Sequence, residues 1–269
     1  MNAPFKKVTH PQAILAVDAS YVDSLNVKHG LDTSISISEF IANADAHYVI
    51  AQRDRLEHDD RFRQLLPYII IGCYVDGVLW VAFYQRTKLV GESRLGKMFS
   101  IGWGGHIDLH DVLKDESVVK LMDTIDISTR REMYEEAQLH ITTANESYTA
   151  FSNYFPLTEL GVLCDREAPV GTVHLGLLQL IIVDPNFGFE SKEKNELIYN
   201  GFRPVTDLAA DVEANPGKFE PWSEWSIQEL AKRPQYIYEQ TGEREIELVI
   251  QRNAKNTPEE VRRPLGAIY

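Results

Sequence analysis

The chain has 269 residues, enough for one large domain or two small ones and for a full hydrophobic core without disulfides. Hydrophobic content of 44% and charged content of 25% are those of a globular protein and exclude a disordered or fibrous chain. The 27 Lys and Arg against 40 Asp and Glu leave a formal charge of -13, which repels phosphate backbones over most of the surface and argues against duplex nucleic acid as a partner.

In chain order, residues 14–17 form a short apolar stretch, too short for a secretory leader, and no apolar run approaches the ~18 residues of a membrane span. Cys73 and Cys164 each sit in an apolar run without zinc-ligand spacing, and read as reduced core thiols. Together these features point to a cytoplasmic protein without membrane contact. A helix is expected in SEFIANADA, followed by a charged stretch, RDRLEHDDRFR, with no chemical motif. Residues 1–64 therefore read as an N-terminal extension.

Two β-rich runs, YIIIGCYV and VLWVAFYQR, flank Asp76-Gly77 and predict a hairpin with a type I′ turn across 68–86. Residues 86–97, RTKLVGESRLGK, carry a local charge of opposite sign to the chain's, so Arg86 and Arg94 are candidate phosphate clamps, or else parts of a solvated loop. FSIGWGGHI at 99–107 predicts a third strand with glycines that permit close approach of a ligand, and His106 either bonds a phosphate or orients that loop. Further strands are expected over 160–165 and 172–184, where His174 reads as a satisfied core histidine.

One strong helix signal, STRREMYEEAQLH, starts at Ser128 or Thr129. At 100° per residue Glu132, Glu135 and Glu136 share one arc, while Met133, Ala137 and Tyr134 point elsewhere and supply the buried side. No Lys or Arg follows any of the three at four residues, so something else should neutralise them. Converging carboxylate oxygens suit Mg²⁺ or Mn²⁺. The same residues also suit a Thr129 to Glu132 capping box beside a solvated acidic face. Helices are further expected over 221–232 and 243–252.

The segment from Arg131 to Leu139 resembles the second half of the Nudix box, G-x5-E-x7-R-E-U-x-E-E-x-G-U with U aliphatic, and Gly104-Gly105-His106-Ile107 resembles the strand and glycine that open it. SIGWGGHID and VGTVHLG are similar to a bacterial and phage branch of Nudix proteins labelled phosphoesterases. Gly105 lies twelve residues before position 117, where an ungapped box would place its first glycine, so the intervening loop is expanded. Glu116 and Asp123 are candidates for the first box glutamate, and Gln138 replaces the late glycine.

The resemblance implies an α+β fold, a Nudix α/β/α sandwich with mixed sheet over 65–235, and a C-terminal helical extension over 236–269. It implies metal binding by Glu132, Glu135, Glu136 and the Gly105 carbonyl, with Arg131 holding a glutamate in place. Glu196 is the candidate general base in the downstream loop, with Glu190 and Glu193 as runners-up. Glu135, Glu136, Arg131 and Glu196 would then carry catalysis, while Arg86, Arg94 and His106 would bind substrate. The implied activity is Mg²⁺- or Mn²⁺-dependent hydrolysis of a diphosphate bond in a nucleoside diphosphate derivative. The alternative is a non-catalytic nucleotide-sensing module. The partner is a small nucleotide or diphosphate, and the assembly is left open between monomer and homodimer.

Overall fold

The structure is a computed structural model that describes residues 12–87, 97–112, 114–115, 118–137, 157–183 and 197–232. It divides into two compact units, one drawn from Met1–Pro67, Gly105–Ser128 and Gly161–Leu177, the other from Tyr68–Gly104, Thr129–Leu160 and Leu178–Tyr269.

In the first unit, strand Ala13–Asp18 pairs antiparallel with Tyr48–Gln52 on one side and with the beginning of Phe62–Val75 on the other. A strand flanked on both sides and covered on both faces has no need of polar alternation, which explains four consecutive apolar residues at 14–17. Leu15 and Val17 enter one core cluster with Phe40, Leu65, Ile107 and Leu175, while Ile14 and Ala16 enter another with Leu56. That split is the period of two of a pleated strand. The expected helix in SEFIANADA is Ile37–Ile41 followed by a 3₁₀ turn, Ala44–Ala46. Ser36 and Glu39 close a reciprocal capping box at its start. Strand Gly30–Asp32 pairs with Leu157–Cys164 through Val162, Leu163 and Cys164.

In the second unit the expected hairpin is present, with Val75 opposite Val78 and positive φ at both Asp76 (50°) and Gly77 (77°), as a type I′ turn requires. Strand Leu197–Pro204 lies antiparallel to Val78–Arg86, with a register shift between Tyr199 and Phe202. The single strand expected over 99–107 is two short ones, Phe99–Ser100 pairing with Tyr84 and Gln85, and Gly102–Trp103 pairing with Ile69 and Ile70. Helices Val205–Ala214 and Pro221–Lys232 follow, the first unforeseen in the sequence and the second as expected. The helix expected over 243–252 lies outside the described residues.

The acidic helix runs from Leu121 to Ala137, seven residues earlier than Ser128. Ser128 and Thr129 are buried inside it, and the Thr129 hydroxyl donates to Gln179 Oε1 at 3.0 Å, so that hydroxyl bonds a side chain outside the helix instead of capping a helix start. The expanded box loop is thus structured in part, with a 3₁₀ turn at Leu109–Asp111, a pair of two-residue strands, Lys114–Asp115 and Val118–Val119, and the first turns of the helix. Among the described residues no helix is long and apolar enough to cross a membrane. Both cysteines are free and buried.

Candidate active site on the acidic helix

Met133 and Ala137 are fully buried in the second unit's core beside Trp103, Tyr84 and Ile69, and this anchors the helix by one stripe. Tyr134 departs from the expectation of burial: it is 59% exposed, because its direction falls well outside the Met133 to Ala137 stripe. The glutamates are graded around the remaining surface. Glu132 is buried, Glu136 is half-buried and Glu135 is exposed.

Arg131 supplies the charge partner of two of these carboxylates. Its Nη1 lies 2.8 Å from Glu132 Oε1 and 3.0 Å from Glu135 Oε2, so one guanidinium bridges two of the three carboxylates. An arginine four residues before a glutamate shares its face as surely as one four residues after it. Glu136 is held differently. The Gly104 amide donates to its Oε2 at 2.7 Å, a charge-assisted bond from the residue that follows strand Gly102–Trp103. Gly104 has φ of 136°, a conformation that a side chain would resist and that turns this amide toward the helix. Gly105 follows directly in the chain.

Arg86 is in the second unit, where its Nε donates to Glu220 Oε2 at 3.3 Å and its guanidinium lies over the Tyr84 ring. Burial works against its charge, but the Tyr84 hydroxyl and the Glu220 and Glu136 carboxylates outweigh that and push its pKa up. Glu136 and Arg86 therefore share one electrostatic environment. Glu220 carries no local sequence signal, yet its buried carboxylate also accepts from Tyr68 (2.8 Å) and Ser100 (2.5 Å). Partners up to 152 residues away leave no local spacing to detect.

His106 belongs to the first unit and stands beside Gln64 and His174. Its Nε2 is 2.9 Å from Gln64 Oε1, and its ring packs edge-on to His174 at 5.5 Å between centroids. Burial, with Arg53 and His174 adding to it, holds its pKa well below the usual imidazole value. Arg94, Glu116, Gln138, Glu190, Glu193 and Glu196 lie outside the described residues.

Among the described residues, one group of three His, Cys or carboxylate side chains has ligand atoms all within 4.8 Å of one another: Glu57, His106 and His174. The acidic helix carries its charges more widely spread, two of them on Arg131 and one on Gly104.

No family model matches the chain. It is 31% identical over 191 residues to Protein YmaB of Bacillus subtilis, a span covering 71% of this chain and 82% of that protein. Its structure is similar to the crystal structure of Tm1382, a candidate Nudix hydrolase, with a TM-score of 0.59 at 22% identity, covering 82% of this chain and 98% of the other. A mutT/nudix family protein from Listeria innocua superposes at a TM-score of 0.40 and 16% identity, covering 65% of this chain and 97% of that one. By sequence the chain belongs to the family of YmaB, and by backbone architecture it has the Nudix α/β/α fold.

Proposed function

We propose that the chain is a divalent-metal-dependent hydrolase of a diphosphate bond, acting on a nucleoside diphosphate derivative or a related organic pyrophosphate. The observation that carries this reading is the anchoring of the acidic helix: Glu136 on the Gly104 amide, and Glu132 and Glu135 on Arg131, at the box positions of a Nudix fold.

The donor set fits a hard divalent cation, since Glu132, Glu135 and Glu136 present carboxylate oxygens along one arc of the helix. Mg²⁺ or Mn²⁺ held there would lower the pKa of a bound water and offset charge on the diphosphate oxygens. The chain's own residues do the rest. Gly104 fixes the direction of the Glu136 carboxylate, and Arg131 holds Glu132 and Glu135 together through one guanidinium nitrogen, Nη1. Arg86 keeps a positive charge beside Glu136 and could exchange Glu220 for a substrate phosphate, with Arg94 as the second clamp. Glu196 would take the proton from the attacking water.

A second reading, a nucleotide-sensing module without turnover, is favoured by the same arginine, because it balances two carboxylates without any metal. Incubation with nucleoside triphosphates, dinucleoside polyphosphates, nucleotide sugars, NAD and ADP-ribose separates the two. Hydrolysis of at least one that depends on Mg²⁺ or Mn²⁺ and stops with EDTA is expected. Binding without turnover across the panel would leave the sensing module, and turnover undiminished by EDTA would remove the metal.

A further inference from the structure

Three residues far apart in the sequence converge in the first unit from three separate elements. Glu57 ends the short helix Arg53–Leu56, His106 follows the glycine pair, and His174 begins strand His174–Ile182 after the 3₁₀ turn Gly171–Val173. Their ligand atoms all lie within 4.8 Å of one another, with His174 Nε2 3.9 Å from Glu57 Oε1. None of this set belongs to the acidic helix.

We propose that Glu57, His106 and His174 form a binding site for a divalent transition-metal ion of the zinc class. The first argument is the donor set. Two imidazoles and one carboxylate are the ligands of three-coordinate protein sites that keep a fourth position open, and imidazole selects zinc-class ions over magnesium.

The second argument is orientation. His174 Nδ1 is 2.7 Å from the Val170 carbonyl, an oxygen that can only accept, so the proton resides on Nδ1 and the lone pair of Nε2 is presented toward Glu57. A ring nitrogen tied to a backbone carbonyl while the other faces a ligand cluster is the usual support of a metal-bound histidine. His106 is likewise tied through Nε2 to Gln64 Oε1. Gln64 Nε2 is buried and lacks an acceptor, a donor that an oxygen such as a metal-bound water would satisfy.

The third argument is size. Ligand atoms around tetrahedral zinc stand roughly 3.4 Å apart, so the 3.9 Å between His174 and Glu57 closes by ~0.5 Å and a pair at the 4.8 Å limit of the set by ~1.4 Å, shifts within reach of side-chain rotation. Arg53 Nε donates to Glu57 Oε1 at 3.2 Å, so the ion would share that oxygen or take the other.

The test is zinc uptake by the whole protein after chelation, measured as bound metal per chain and by competition with a chromophoric chelator, with Co²⁺ as a spectroscopic probe. One Zn²⁺ per chain is expected, with visible Co²⁺ absorption typical of mixed nitrogen and oxygen ligation. Glu57→Gln and His174→Ala should each weaken Zn²⁺ binding at least about tenfold. Glu135→Gln combined with Glu136→Gln should leave it unchanged, which separates this site from the acidic helix whatever that helix does. His174 is buried, so the partly exposed Glu57 carries the decisive variant, and circular dichroism of Glu57→Gln verifies an intact fold. No zinc retained by the wild type, wild-type affinity in Glu57→Gln, or loss of zinc in the acidic-helix double variant would each overturn the proposal.

Discussion

Glu135→Gln and Glu136→Gln keep side-chain shape and subtract one charge each from the acidic arc. If that arc holds the catalytic cation, each should lower turnover by more than about a hundredfold. Glu135 is exposed and Glu136 half-buried, so the melting temperature should hold near the wild-type value in both. Normal turnover in both variants would reduce the acidic face to ordinary surface. Arg131 is the sharper case because it touches Glu132 and Glu135 through the same Nη1. Lysine keeps the charge but not the rigid planar guanidinium that carries Nη1 to both carboxylates, so Arg131→Lys should impair turnover about as much as Arg131→Ala. Steady-state kinetics at several Mg²⁺ concentrations decide: lysine behaving like wild type while alanine fails would leave charge balance as the whole role.

At the scale of elements, the segments whose signals are local were legible in advance. The Asp76-Gly77 hairpin demands positive φ at two adjacent residues, and the helix Pro221–Lys232 announces itself by a proline in its first turn. Legibility ended where structure depends on distant partners. Strand Ala13–Asp18 is a strand because two others flank it, and the acidic helix reaches back to Leu121 because Leu121 and Ile125 enter the first unit's core. At the site, Arg131, Glu132, Glu135 and Glu136 share a helix and could be grouped from spacing, whereas Glu57 and Glu220 could not.

Helix Val205–Ala214 offers a test at this scale. Burial would raise the Asp211 pKa, but hydrogen bonds from Lys218 and Arg203 outweigh it and hold it below the usual carboxylate value. A depressed folded pKa means stability that is present above the unfolded value of about 3.9 and lost as pH falls through the folded value. Asp211→Asn should therefore cost about 1–3 kcal/mol at pH 7. In urea unfolding the gap from wild type should stay constant down to about pH 4.5 and narrow below that. Narrowing already between about pH 7 and pH 5 would assign the stabilisation to another group.

For the whole molecule, charge sets the long-range problem that any polyanionic substrate must solve. A formal charge of -13 surrounds the chain with a repulsive potential, while residues 86–97 carry the opposite sign locally. The two contributions respond differently to salt. Repulsion from the overall charge is a sum over distant groups and fades once the Debye length drops to about 8 Å, near physiological ionic strength. Attraction by Arg86 and its neighbouring basic residues acts at contact and survives screening better. If the overall field governs encounter, kcat/KM for a diphosphate substrate should rise several-fold as ionic strength increases from about 0.01 M to about 0.15 M, with kcat nearly unchanged. If the basic segment steers the substrate instead, kcat/KM should fall over the same range, and neutralising Arg94 to Gln should flatten the dependence. We expect the rise, because the basic segment is short and the acidic excess is spread over the whole chain. Stopped-flow or initial-rate measurements at fixed free Mg²⁺ make the comparison, since a drifting metal concentration would mimic either trend.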